Sequence, residues 1–456
     1  MDAVLAAGFA AAVAEPGLTS LGGGGFLLHA PADGEPELVD FFVDVPGGGR
    51  PADAPPPTMR DVVVRFPGAD QVFAAGWGSV AVPGCLAGYL HVHQRHGRLP
   101  LAEVVEPARR LACDGARLDA SQAGVVALLR DILTLSPAGR QVFAPDGAVL
   151  GEGAPLHNPD FADFLTRLAA GEVRDLSGVA DELEQAMVAG GGVVTRADLE
   201  AYRVADREPL RLAVAGGVLV TNPPPSFGGA LVVAALSGLT GVAPPDDDPD
   251  AALRYAAELV ALTRRHVEGA AGTTALRGTT HVSVVDGEGN VAAMTTSNGS
   301  CSGVFVPGTG IQLNNMMGEA SLHPAGPSSP GVRVGSMMMP TVVRSADGTV
   351  TAAGSGGSER IPSAMTRVLT GVLDGRRPLS AVVQAPRLHW DGSVLQVEPG
   401  LPEPVLRRLR QEYPVAEWTA PDLYFGGAHA VRRHPDGRVE ATADPRRGGA
   451  ALVLDL

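Results

Sequence analysis

The chain of 456 residues has a formal net charge of −15, and 45% of its residues are hydrophobic. An acidic surface does not attract nucleic acid or an anionic membrane, so we predict neither as a partner. No apolar run reaches the ~18 residues that a membrane span requires. Every basic residue counted as Lys+Arg is arginine, which excludes mechanisms that use a lysine Schiff base or a phosphate-binding lysine.

Cysteine and histidine give no sign of a metal centre in the sequence. Cys85, Cys113 and Cys301 are too scattered for a disulfide framework or a zinc knuckle, and we interpret Cys301 as a small buried thiol. The histidines lack metal-ligand spacing: His91 and His93 stand two positions apart and would not share a helix face. The sequence therefore predicts neither a metal nor a cofactor.

The chain begins with a predicted helix that is followed by a glycine-rich entry into a strand. Residues 2–14 are rich in alanine, with Asp2 as a possible cap, and Glu15-Pro16-Gly17 ends the helix. Gly22 to Gly25 then lead into an apolar run, where glycine permits close backbone approaches. This is no phosphate-binding loop, because the glycines enter a strand and no lysine follows.

The central and C-terminal parts alternate between helical and strand patterns. The predicted elements, in chain order, are an apolar helix after Pro83-Gly84, a helix over 99–111, a mostly helical region over 120–200 broken at 144–158, a strand over 210–221, helices over 230–239 and 251–270, a linker over 271–278, and a closing strand pair within 440–456. This mixture of helices and antiparallel-type strands predicts a layered α/β sandwich.

A hairpin pattern begins directly after Gly278. The apolar runs Val282–Val285 and Val291–Met294 flank a turn formed by Asp286 to Asn290. If the backbone were cut after Gly278, Thr279 would become an N-terminal residue. Its hydroxyl would then lie beside its own free amine, and the two groups form a self-contained nucleophile and base.

Taken in order, these motifs resemble the gamma-glutamyltranspeptidase family of N-terminal-nucleophile hydrolases. The segments that carry the resemblance are Glu15-Pro16, Gly22 to Phe26, Val82-Pro83-Gly84, Pro223 to Gly229, Thr279 to Asp286, Leu313-Asn314-Asn315 and Gly354 to Ile361. The resemblance implies a four-layer αββα sandwich made as one precursor. Cleavage between Gly278 and Thr279 would leave a large subunit, 1–278, and a small subunit, 279–456, which together form that fold.

The resemblance also implies a role for each matching residue. The catalytic set would be Thr279 as nucleophile, Ser297 as a second hydroxyl, and Gly356 and Gly357 as oxyanion-binding N–H groups; the substrate-binding set would be Asn298, Glu319 and Ser336. Gly278 would suit the self-cleavage because glycine tolerates a strained backbone. The partners would be a small-molecule amide donor and an amine or water acceptor.

Some positions depart from the family pattern around the donor. Phe42 stands where an arginine is expected to clamp the α-carboxylate of the donor, and Glu319 stands where an aspartate is expected. Ser336 is retained from a serine pair, but Met337 replaces the other member. Together with the methionine pairs 316–317 and 338–339, these changes predict a more apolar donor pocket, although core packing is the ordinary interpretation of methionine.

Three functional hypotheses follow from the sequence. The chain is a self-processing enzyme acting on a γ-glutamyl or related amide, an acylase for a glutaryl-like or natural-product amide, or a processing-defective homologue without catalysis. No signal peptide is visible, so the chain as written would be cytoplasmic, or periplasmic or extracellular if an upstream start exists.

Overall fold

The computed structural model describes residues 1–454 except residues 52, 66–69, 215–216, 247, 268–277, 320–321 and 324–327. The helices are α1 (Asp2–Ala14), α2 (Cys85–His96), α3 (Leu101–Asp114), α4 (Ala120–Leu128), α5 (Arg130–Leu133), α6 (Pro137–Phe143), α7 (Pro159–Ala169), α8 (Ala180–Gly190), α9 (Arg196–Ala201), α10 (Phe227–Gly238), α11 (Pro249–Val267), α12 (Ile361–Asp374), α13 (Leu379–Gln384) and α14 (Glu403–Glu412). The strands are β1 (Gly24–Ala30), β2 (Glu37–Phe41), β3 (Arg60–Arg65), β4 (Asp70–Ala75), β5 (Ala116–Arg117), β6 (Pro155–Leu156), β7 (Ala205–Arg207), β8 (Leu210–Val214), β9 (Gly217–Thr221), β10 (Gly278–Val285), β11 (Val291–Gly299), β12 (Thr341–Arg344), β13 (Val350–Gly356), β14 (Leu388–Trp390), β15 (Leu395–Val397), β16 (Val415–Glu417), β17 (Gly427–Arg433) and β18 (Val439–Thr442).

Two large sheets form the centre of the molecule. One has five strands in the order β10-β11-β1-β2-β7, and the other has six in the order β18-β17-β13-β12-β9-β8. Their described pairings are antiparallel. The sheets face each other through β10 and β11 on one side and β13 and β17 on the other.

Helices cover the outer face of each sheet. The strand β1 shows the division, because its side chains alternate between two cores. Phe26 and Leu28 pack in the core that contains Val342 of the six-stranded sheet. Leu27 points the other way, into a core with Phe9 of α1. The helices α10, α12 and α13 lie against the six-stranded sheet, so the layer order is αββα, as predicted.

The structure corrects two of the predicted strands. The segment 210–221 is a hairpin, β8 and β9, instead of one strand. Only β8 alternates in exposure, whereas β9 is buried toward Thr221, and the apolar residues of the two arms follow each other in the sequence as one run. The predicted closing pair within 440–456 is displaced toward the N-terminus, to β17 and β18. After β18 the 3₁₀ turn Pro445–Arg447 and the left-handed Gly448, with φ 62°, end the strand pattern.

Other elements agree closely with the sequence pattern. Helix α1 begins and ends at the predicted residues, and the hairpin of β10 and β11 includes both predicted apolar runs. The predicted linker over 271–278 lies outside the described residues except for Gly278. Within the described part of the chain, no helix is both long and apolar enough to cross a bilayer.

Candidate active site

The strand that begins at Gly278 presents Thr279 at an irregularity in the sheet. Gly278 pairs with Gly299, but Thr280 already pairs with Thr296, so Thr279 alone stands opposite two residues of β11. Such a β-bulge turns the local backbone and redirects a side chain. The Thr279 side chain is buried within the protein and lies beside its own preceding carbonyl group.

Three oxygen atoms lie close together at the peptide bond between Gly278 and Thr279. The Thr279 hydroxyl lies 2.8 Å from the Gly278 carbonyl oxygen and 3.4 Å from the Ser297 hydroxyl. The Ser297 hydroxyl donates to the same carbonyl oxygen at 2.6 Å and accepts from the Gly299 N–H at 3.0 Å. Ser297 is thus fixed in place and polarises the carbonyl group of Gly278, next to the hydroxyl that could attack it.

The requirement for glycine at position 278 is steric. A β-carbon there would lie 2.2 Å from the carbonyl oxygen of Gly17 and 2.7 Å from that of Gly299. The close approach of the chain that follows α1 therefore accounts for a glycine at this position, and a strained backbone at the cleavage site stays a prediction.

Gly356 lies directly against the Thr279 backbone where β13 ends, and Gly357 follows it and lies against Gly426. A β-carbon on Gly356 would lie 2.3 Å from the Thr279 carbonyl oxygen, and Gly357 has a φ of 134° that favours glycine. The 3₁₀ turn Ser358–Arg360 and then α12 follow. Gly356 thus contacts the Thr279 backbone, and the binding of an oxyanion by the N–H groups of Gly356 and Gly357 remains a prediction.

Two partly buried ionisable residues, Glu15 and Arg447, lie next to β10 and to this turn. The carboxylate of Glu15 accepts a hydrogen bond from the Thr280 hydroxyl, and burial raises the pKa of Glu15. The guanidinium of Arg447 lies 3.3 Å from the position that a Gly356 β-carbon would take. Burial lowers the pKa of Arg447 to about 10, so the group stays protonated near neutral pH and places a positive charge beside the glycine turn.

A small pocket opens next to Thr279. Its lining consists of Phe42, Thr279, Ser297, Met316, Glu319, Leu322, Ser336, Met337, Met338, Ser358 and Ile361. Of the predicted site residues, the structure therefore brings together Thr279, Ser297, Glu319 and Ser336. Among the described residues that line it, Glu319 alone is ionisable, and it is buried.

Asn298 is not among the residues that line the pocket. Its side-chain amide donates to the Leu313 carbonyl oxygen at 3.2 Å and to the Cys301 sulfur at 3.4 Å. The side chain is fully buried and joins β11 to the segment that follows it. Cys301 is buried as interpreted, and burial raises its thiol pKa to about 12.

Phe42 occupies the pocket wall, and an arginine lies close behind it. Phe42 stacks on Phe26 with ring centroids 5.6 Å apart. The Arg333 guanidinium donates to the Phe42 carbonyl oxygen at 2.6 Å and to the Asp40 carboxylate at 3.0 Å, and it forms an ion pair with Asp44 at 2.7 Å. The charge of Arg333 is neutralised by these two carboxylates, which lie outside the pocket lining. Arg333 therefore does not replace the arginine that was expected at position 42 to bind the α-carboxylate of a donor.

Ser358 is a site residue that the sequence did not reveal. It is one of two described non-glycine residues with a positive φ, at 56°. Its buried hydroxyl lines the pocket and has no hydrogen-bond partner among the described residues. A buried polar group normally has a partner, so this hydroxyl is available to bind a donor. Ser358 lies inside the segment Gly354 to Ile361 that carries the family resemblance, but nothing in that segment singles it out, because the pocket forms only when β13 meets β10.

We predict that Ser358→Gly weakens donor binding without preventing folding, because glycine adopts a positive φ readily. Loss of one neutral hydrogen bond of about 0.5–1.5 kcal/mol should lower kcat/KM about 2- to 10-fold. Steady-state kinetics should show the same loss in Ser358→Ala, while thermal unfolding should find Ser358→Gly the more stable variant. Unchanged kcat/KM in both variants would contradict a donor-binding role.

The αββα layers and an internal threonine at the start of a buried strand define an N-terminal-nucleophile hydrolase fold. The family model described as Gamma-glutamyltranspeptidase matches residues 1–265 and 248–454. The chain therefore belongs to the gamma-glutamyltranspeptidase family, whose members are hydrolases and acyltransferases.

The chain is similar to proteins of two names, acylases and glutathione hydrolases. The acylase ACY 1 proenzyme of Pseudomonas sp. (strain SE83) is 31% identical over 504 residues, which cover 100% of this chain and 89% of that protein. The glutathione hydrolase proenzyme of Escherichia coli (strain K12) is 26% identical over 511 residues, which cover 98% of this chain and 86% of that protein. The crystal structure of cephalosporin acylase from Bacillus halodurans aligns with a TM-score of 0.80 at 23% identity, over 100% of this chain and 91% of that one, and this likeness supports the fold.

Proposed function

We propose that the protein is a self-processing threonine amidohydrolase or acyltransferase whose preferred donor carries an uncharged, largely apolar acyl group. The observation that carries the proposal is the position of the Thr279 hydroxyl, between the Gly278 carbonyl group, the Ser297 hydroxyl and a mainly apolar pocket. The family relation supports amide chemistry, and the pocket lining supports the donor class.

Self-processing would proceed from the continuous chain. The Thr279 hydroxyl oxygen attacks the carbonyl carbon of Gly278. The peptide C–N bond between Gly278 and Thr279 then breaks, and the hydroxyl proton passes to the departing amine of Thr279. The product is an ester between Gly278 and the threonine oxygen. Water then hydrolyses this ester, which leaves a carboxylate on Gly278 and a free α-amine on Thr279. The subunits would be 1–278 and 279–456, and they would remain packed as one sandwich.

Donor turnover would use the same hydroxyl group. The free α-amine, with an ordinary pKa of about 7.7–8.0, takes the hydroxyl proton as Thr279 attacks the donor amide. The N–H groups of Gly356 and Gly357 would stabilise the oxyanion; removal of one such donor costs about 2.7–4 kcal/mol in other enzymes. The leaving amine takes the proton, and water or an acceptor amine releases the acyl group.

The pocket charge favours an uncharged acyl group over a carboxylate-bearing one. No cationic side chain lies among the described lining residues, and Glu319 adds a carboxyl group of its own. A charge-assisted hydrogen bond to a carboxylate contributes about 1.5–3 kcal/mol. Without that contribution, both γ-glutamyl and glutaryl donors lose about 10- to 100-fold in affinity relative to a pocket with the arginine. Glu319 offers an anchor for an ammonium group, which keeps γ-glutamyl donors as the second candidate.

The direct experiment compares three donors with the same five-carbon acyl chain. These are the pentanoyl, glutaryl and γ-glutamyl p-nitroanilides, assayed with fully divided protein. We expect kcat/KM for the pentanoyl donor to exceed that for the glutaryl donor, because the glutaryl carboxylate would lose its hydration and meet no cation among the described lining residues. A γ-glutamyl donor that ranks first would overturn the assigned donor class. No turnover of any donor would favour the non-catalytic homologue instead.

A further inference from the structure

A cluster of two histidines and one glutamate lies away from the candidate active site. His29 is on β1, Glu37 is on β2, and His96 is the last residue of α2. Each contributes one ligand atom, and these atoms all lie within 4.8 Å of one another. The described residues contain no other group of three metal-ligating side chains within that distance.

The fold itself brings these three side chains together. His29 and Glu37 face each other in the antiparallel pairing of β1 with β2, so both stand on the same face of the sheet. Helix α2 packs across these two strands and places His96 over the pair. The imidazole rings of His29 and His96 have centroids 4.7 Å apart, and the His96 Nε2 atom lies 3.2 Å from the Glu37 Oε2 atom.

We propose that His29, Glu37 and His96 bind a divalent transition-metal ion, with Zn²⁺ as the best match. Two imidazole nitrogens and one carboxylate oxygen, with water in the fourth position, are a common zinc donor set. The three residues are of intermediate burial, and the Glu37 side chain is 42% exposed, so the cluster is open to an ion from solvent. The Nδ1 atom of His29 is buried and has no hydrogen-bond partner within the described residues, so a metal ion would satisfy a polar group that the protein leaves unpaired.

The charged side chains next to the cluster, Arg95 and Asp206, are compatible with a bound metal ion. The Arg95 guanidinium lies 3.0 Å from the Glu37 carboxylate and competes for it. Arg95 also contacts Asp206 at 2.7 Å, so it keeps an anionic partner when Glu37 turns to the metal. His91 lies 3.3 Å from the same aspartate and belongs to that second cluster.

The role of such a site is structural. Gly24, which pairs with Ser297, and His29 stand near opposite ends of β1, about 17 Å apart at ~3.4 Å per residue. A metal ion there does not reach the reacting bond. It connects α2 to β1 and β2, and it therefore stabilises the packing of the outer helix layer on the sheet.

Zinc titration of the untagged, metal-free, full-length protein tests this proposal without reference to activity. Isothermal titration calorimetry should give one site per chain with a dissociation constant in the micromolar range or tighter, and thermal unfolding should shift upward with added Zn²⁺. The variants His29→Gln and His96→Gln should each weaken binding by at least about tenfold. A Cys113→Ser background removes an exposed thiol that would bind zinc on its own.

The matched control is His93→Gln. His93 lies on the same helix and contacts the Leu99 carbonyl oxygen instead of the cluster, so its replacement should leave zinc affinity unchanged. His96→Gln, at the C-terminal end of α2, serves as the second variant where His29→Gln destabilises the metal-free protein. A wild-type dissociation constant above about 1 mM, or equal affinities in the His93 and His96 variants, would overturn the proposal.

Discussion

Thr279→Ala is expected to abolish both division of the chain and amide turnover. The variant removes the oxygen atom that lies 2.8 Å from the Gly278 carbonyl oxygen, and no other described hydroxyl except that of Ser297 lies against this bond. Loss of a catalytic nucleophile lowers kcat by about 10⁶ in a well-studied protease. Activity at the background rate, measured by release of p-nitroaniline, is the expected result.

The matched control is Thr279→Ser, which keeps a hydroxyl group on the same backbone. It should still divide, and it should retain measurable turnover at a reduced rate, while thermal unfolding should find both variants folded. If Thr279→Ala kept more than about a hundredth of the wild-type rate, its activity would be far above the residual activity of an enzyme without its nucleophile. Another group would then be the nucleophile.

Gly356→Ala is expected to have the second largest effect. The added β-carbon would lie 2.3 Å from the Thr279 carbonyl oxygen, a distance that requires the backbone on one side to move. Displacement of catalytic groups by about 1 Å costs about 10²-fold in rate. We therefore expect division to slow and kcat to fall by about 10²-fold or more, as measured by a time course of subunit formation and by donor turnover.

Gly287→Ala provides the comparison for this variant. Gly287 is in the turn between β10 and β11, the hairpin that carries Thr279, and a β-carbon there meets no atom within 4 Å. Its replacement should leave division and turnover unchanged. Wild-type kinetics in Gly356→Ala would show that the glycine turn does not approach the nucleophile as closely as the structure indicates.

The parts of the site that could be predicted from sequence were those set by local pattern. The hairpin after Gly278 follows from two β-rich runs around a turn, and this pattern alone places Thr279 at the start of a buried strand. Ser297 came from the family resemblance, and the structure places its hydroxyl 3.4 Å from that of Thr279 on the paired strand. The replacement of arginine by Phe42 was also visible, and the structure places Phe42 in the pocket wall.

The parts that could not be predicted depend on contacts between distant segments. Ser358 enters the pocket only because β13 packs against β10, and the carboxylates that neutralise Arg333 lie almost 300 residues away in the chain. The histidine cluster has no signal in the spacing of His29 and His96, because an antiparallel pair and a helix end create it. Asn298 matched the motif order, but its side chain packs against Leu313 instead of lining the pocket.

The central claim is that Thr279 becomes a new N-terminus, and intact-mass spectrometry of the purified, denatured wild-type protein tests it most directly. We predict two chains, one ending at Gly278 and the other beginning at Thr279, and an undivided Thr279→Ala variant prepared in the same way. A wild-type protein that remains one covalent chain, or that divides at a different bond, would contradict this account.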